Sequence, residues 1–209
     1  ATGRSALYSN TTGSNNVASG YQTLHSNTTG SHNSAYGKRA LFSNTTASNN
    51  TAVGRQALYS NTTGADNTAT GYEALKSNTT AGNNSAFGIQ SLRSNTTGYD
   101  NTATGSAASY SNTTGTNNTA VGRASLYHNS TSNDNTAVGQ TSLYYCTGRA
   151  NTAMGRAALY NTTSGEENVA LGTWSMYANT TANYNTAVGY AALEDNTTGA
   201  SNVAIGHRS

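Results

Sequence analysis

The chain has 209 residues; Asn, Thr and Ser supply 90 of them and Gly 22, Pro is absent and Cys occurs once. Ten basic and eight acidic residues leave a net charge of +2, without the concentrated basic footprint of a nucleic-acid binder. One Cys excludes a disulfide framework and a Cys-based zinc site, and no apolar run approaches the roughly 18 residues of a membrane span. No signal peptide is visible, and the chain opens at Ala1 without Met, as a mature product or a fragment would.

Such a polar composition by itself predicts a disordered linker, but periodicity overrides it. From Gly3, a Gly recurs every 17 residues through Gly20, Gly37, Gly54, Gly71, Gly88, Gly105, Gly122 and Gly139. Gly155 arrives one residue early, and Gly172, Gly189 and Gly206 restore the step. The chain is therefore one array, residues 1–209, of twelve units reading G-x-x-A-L-Y-S-N-T-T-G-x-x-N-T-A-V, with a shortened unit at 140–155. Seventeen residues are too few for a helical hairpin repeat and suit one coil of a β-solenoid.

In chain order, each unit begins with a corner Gly, read as a backbone position of positive φ. A strand-like A-L-Y follows, with Leu four residues after Gly in ten units and Ser109 and Met176 in the others. The residue before it is always small, as in Ala6, Thr23, Ala40 and Ser91. An N-T-T-G turn comes next. Then stands an Asn present in all twelve units: Asn16, Asn33, Asn50, Asn67, Asn84, Asn101, Asn118, Asn135, Asn151, Asn168, Asn185 and Asn202. Asn tolerates left-handed geometry, and stacked at about 4.8 Å this column makes an amide ladder from coil to coil. A second strand, T-A-V, closes the unit with an invariant Ala, Ala18 to Ala204. Alternation places Leu opposite Ala and Tyr in the first strand, and Ala opposite Thr and Val in the second. The resulting Leu core is thin against the roughly 1–2 kcal/mol per residue of backbone ordering. With two small-residue columns, one is expected to line the coil and the other to admit a second chain in a cyclic oligomer.

Asn202-Val203-Ala204-Ile205-Gly206, with Asn168-Val169-Ala170-Leu171-Gly172 and Asn185-Thr186-Ala187-Val188-Gly189 as variants, resembles the head repeat of trimeric autotransporter adhesins, the YadA-like family. The N-T-T-G turns are similar to repeats of phage tail fibres and bacterial surface fibre proteins. The resemblance spans the chain, although the family's head unit is shorter. It implies an all-β, left-handed parallel β-roll, a homotrimer, and an extracellular, cell-surface or virion fibre that displays or attaches.

Chemistry-bearing residues are few. His25, His32, His128 and His207 share no ligand spacing, and Glu166-Glu167 is the only acidic pair. No phosphate loop, dinucleotide fingerprint or nucleophile elbow stands out, so no enzyme, metal or cofactor is expected. Cys146 takes the Asn place of the turn in the shortened unit. Three columns carry functional readings. Asn10, Asn27, Asn44, Asn61, Asn78, Asn95, Asn112, Asn129, Asn161, Asn179 and Asn196 each open an N-x-S/T acceptor sequence, as do Asn49, Asn83 and Asn117. A glycan coat is one reading and a plain turn the other. A column five after Gly is aromatic in eight units, and a column one after Gly mixes Arg, Lys and Tyr. Together they form a stripe including Arg4, Tyr8, Tyr21, Arg55, Tyr59, Arg123, Tyr127, Arg156 and Tyr160, placed by alternation on one face. This stripe could stack sugars or line chain–chain contacts.

The leading function is a structural or adhesive fibre whose partners are itself and a glycan or cell surface. An ice-binding solenoid with Thr arrays and a curli-like functional amyloid are the alternatives.

Overall fold

The computed structural model describes every residue from Ala1 to Ser209. Twelve three-residue strands, β1 (Val17–Ser19) to β12 (Val203–Ile205), stack in chain order into one sheet. Every pairing is parallel and in register, Ala on Ala. The register survives the shortened unit, where Thr136-Ala137-Val138 pairs with Thr152-Ala153-Met154. The molecule is an all-β parallel solenoid with one coil per unit and a length on the order of 60 Å.

Only one of the two expected strands forms. T-A-V is extended, whereas A-L-Y lies in a turn. The reason is its backbone: the Leu column has positive φ throughout, for example 49° at Leu24, 50° at Leu58 and 47° at Leu92. The residue two after the corner Gly is also left-handed, as at Gln22, Gln56 and Gln90. So is the residue before the invariant Asn, which is Asn or Asp at Asn49, Asp66, Asn83, Asp100, Asn117 and Asp134. Each coil thus holds three non-Gly residues in a conformation costing roughly 1–2 kcal/mol apiece. The return is a contour that aims backbone groups along the stack. Gln22 N–H donates to the Arg4 carbonyl of the coil before, Leu24 N–H to the Ala40 carbonyl of the coil after, and Ser26 N–H to that of Phe42.

Alternation therefore fails in A-L-Y. Ala40 and Leu41 are adjacent yet both fully buried, because the left-handed Leu swings its side chain inward beside its neighbour. The two small columns both line the coil: Ala52, Ala69 and Ala86 of the strand and Ala40, Ala57 and Ala74 before Leu belong to one interior cluster. Neither remains on the surface to admit a second chain. The missing burial comes instead from asparagines inside the coil.

One rung of the core is deficient. Ser109 stands between Leu92 and Leu126 with the same left-handed φ, 48° against 47° and 49°, and its buried hydroxyl has no hydrogen-bond partner. Ser109→Leu restores the column at a backbone already shaped for it. We expect about 1–3 kcal/mol of stabilisation, read as a higher denaturant midpoint; an unchanged or lower midpoint would show that the coil has closed over the smaller side chain.

Candidate functional site

Two asparagine ladders run inside the rod. In the first, Asn84 Oδ1 accepts from Asn101 N–H at 3.0 Å, while Asn84 Nδ2 donates to the Gly98 carbonyl at 2.9 Å. The same side-chain-to-backbone link joins all twelve invariant asparagines, from Asn33 N–H on Asn16 to Asn202 N–H on Asn185. From Asn16 to Asn168 each side chain thus ties its coil to the next turn as well as to the next rung.

The second ladder is the Asn of N-T-T. Asn27 Nδ2 donates to Asn10 Oδ1 at 2.7 Å and to its own turn's Gly30 carbonyl at 2.9 Å. The pattern continues through Asn44, Asn61, Asn78, Asn95 and Asn112. Of the two readings of this column, a glycan coat or a plain turn, its burial supports the turn. Asn27, Asn44, Asn61, Asn78, Asn95, Asn112, Asn129 and Asn179 are fully buried, and the nitrogen that a glycan would occupy is a hydrogen-bond donor in the interior. Asn10 and Asn196 make the same turn bond at half-buried positions. Asn161 does not belong to the column at all: the unit shifts by one, and the buried residue is Thr162, whose hydroxyl faces Asn179. Asn49, Asn83 and Asn117 are exposed acceptor sequences.

Cys146 occupies a place in this second column, with Sγ 3.2 Å from the Gly148 carbonyl. Burial pushes its thiol up to about 12, far from the thiolate that redox chemistry requires. The ladder is interrupted around it, and Asn112 Oδ1 and Asn179 Oδ1 on either side lack partners.

The outer stripe resolves into stacked rings. Tyr8, His25, Phe42 and Tyr59 form one ladder, with centroids 5.1–5.3 Å apart. Tyr110, Tyr127, Tyr144, Tyr160 and Tyr177 form another at 5.1–5.3 Å. Rings stacked along the axis spend their faces on each other, so most of the stripe offers a sugar only ring edges. The column one after Gly makes its own contacts, with Arg4 and Lys38 near the Tyr21 ring and Arg55 near Tyr72. Arg123 lies exposed in that column.

Between the two aromatic ladders the column holds Lys76 and Arg93, like charges on successive rungs. Glu73 answers both, at 2.7 Å from Lys76 Nζ and 2.7 Å from Arg93 Nε, with Gln90 donating at 3.2 Å. Burial alone would raise its carboxyl; the hydrogen bonds from Lys76, Arg93 and Gln90 outweigh this and hold it at about 2. Arg93 also lies over the Tyr110 ring, at 5.6 Å, and so joins the charged rungs to the next ladder.

The sheet's outward face carries the third strand residue. Tyr36, Val53, Phe87, Val121 and Met154 are 37–47% exposed. They belong to a mostly apolar column, interrupted at Thr70 and Thr104, beside the first residue of each strand, while the invariant Ala faces inward.

Three residues with distinct roles escaped the reading of the repeat: Glu73, Trp174 and Glu194. Their signal was departure from the consensus. Trp174 is the chain's one Trp, and Glu194 is the only acidic residue in a column that is aromatic in eight units. Comparisons with protein-family models, curated proteins and solved structures found no match to this chain.

Proposed function

We propose that the chain is a segment of an extracellular structural fibre or surface spike that displays an attachment surface. The observation that carries this reading is the stack itself. Twelve in-register coils repeat the same side-chain columns along one axis, so length and a periodic surface are what the sequence specifies. The resemblance to autotransporter head repeats supports the same reading and adds a trimer. The apolar column of Tyr36, Val53, Phe87, Val121 and Met154 is the surface on which identical chains would meet, since large exposed apolar patches mark interaction sites. Solution scattering and native mass of the full chain test both parts. We expect an elongated particle with the mass of three chains. A single-chain mass would remove the trimer and leave the rod; a compact scattering profile would remove the rod.

Ice binding is a second reading, favoured by one column. The second Thr of the turn is exposed in eight consecutive coils, from Thr12, Thr29 and Thr46 to Thr131, at the roughly 4.8 Å repeat of stacked strands. Absence of thermal hysteresis would end it.

A further inference from the structure

Repetition gives this surface one long tyrosine ladder, and the ladder stops at Tyr177. One face of the Tyr177 ring is covered by Tyr160 at 5.2 Å. The next residue of the column, 17 positions on, is Glu194, which has no ring to cover the other face. A cleft of about 360 Å³ opens there, lined by Arg156, Trp174, Tyr177 and Glu194, within the roughly 300–1,000 Å³ typical of small-molecule sites. Trp174 is braced on two sides, with the Arg156 guanidinium 5.8 Å from its ring and the Tyr190 ring edge-on at 5.5 Å.

We propose that this cleft binds a neutral hexopyranose, the terminal unit of a surface glycan. The chemistry of the lining selects it. An aromatic ring face takes the C–H face of a pyranose. Glu194 is acceptor-only and Arg156 donor-only, and a sugar's vicinal hydroxyls serve both. An anion would meet Glu194, a cation would meet Arg156, and an apolar ligand would strand both charges without hydrogen bonds. The site deepens the display reading by naming what the rod would attach to, and it rests on that reading for its biological sense.

Trp174 is the single tryptophan beside 14 tyrosines, so fluorescence excited at the red edge, where tyrosine does not absorb, reports on this cleft. Titrating the full chain with methyl glucoside, galactoside and mannoside should give a saturable change for at least one of them. Glu194→Gln keeps the shape, removes the charged acceptor, and should weaken that binding at least about tenfold. Glu194→Tyr continues the ladder over the open face and should abolish binding while leaving the melting temperature equal or higher. No saturable change with any of the three sugars, or a response that persists in Glu194→Tyr, overturns the site. Scattering reads the rod separately: an elongated particle that binds no sugar loses the site and keeps the fibre.

Discussion

Asn84→Asp is expected to destabilise the rod by roughly 3–5 kcal/mol at neutral pH, the scale of an uncompensated buried charge. Asn84 is fully buried, its amide donating to Gly82 and Gly98 carbonyls and its Oδ1 accepting from the backbone N–H and the side-chain amide of Asn101. The substitution changes almost no volume. It removes both donors, so two carbonyl oxygens face a carboxylate with no proton between them. The buried acid's pKa must rise above its unfolded value; the penalty therefore grows as pH climbs past the unfolded value, is fully present above the raised folded value, and shrinks in acid, where the group is neutral in both states. Denaturant unfolding gives the magnitude, and hydrogen exchange places it: amides of the coils on either side of Asn84 should lose protection first, because a solenoid's stability is a sum of units and nearest-neighbour interfaces. A variant within about 0.5 kcal/mol of the parent, the usual range for surface changes, would mean that the ladder follows the fold and does not hold it.

Gly105→Ala should be comparably damaging, about 3–5 kcal/mol, for a different reason. Gly105 has φ of +134°, and a Cβ there would lie 2.6 Å from the Gly122 carbonyl oxygen and 2.7 Å from its carbonyl carbon. Both obstacles are backbone of the adjoining corner, which is itself pinned by the coil beyond. The turn glycine Gly98 is the control. A Cβ there would also press on backbone, the Gly115 carbonyl oxygen, but its φ is not in the left-handed region and Ala47, Ala81 and Ala182 stand at the same place in other coils, so Gly98→Ala should cost far less. The decisive readout is the difference between the two denaturant midpoints. Equal losses would show that crowding alone, and not the backbone conformation of the corner, makes Gly obligatory.

Residue choices at the left-handed positions were legible and went unread. The ten Leu, one Ser and one Met four after the corner Gly include no β-branched residue, the class for which positive φ is a true outlier. Asn and Asp cluster just before the invariant Asn, where φ is about 56–62°, as their short polar side chains allow. Reading A-L-Y as a strand followed from its hydrophobic look; an aversion to Val and Ile in that column argues against a strand, where those residues are favoured.

The candidate cleft shows the complementary limit. Glu194 and Trp174 were visible as departures from the repeat, but sequence spacing does not say that a missing ring leaves a neighbouring ring face open. That required the coils to be stacked, so that residues 17 apart became neighbours at about 5 Å. Likewise, an N-x-T sequence states only a chemical acceptor. Whether its amide meets solvent or its counterpart in the adjoining coil depends on which way the turn folds, and here it folds inward.

By itself, then, the sequence determined the period, the array, the parallel in-register stack and the opposition of Ala to Thr and Val in each strand, because these follow from repetition and a two-residue alternation that can be counted along the chain. The tertiary structure alone decided that the invariant Ala, Leu and its small neighbour share the interior, that both asparagine columns are buried, and that the aromatic faces are spent on one another within each ladder, with the end ring Tyr177 left beside a cleft. Those outcomes depend on which way each turn carries its side chains and on contacts between coils, and the residue type at a position states neither.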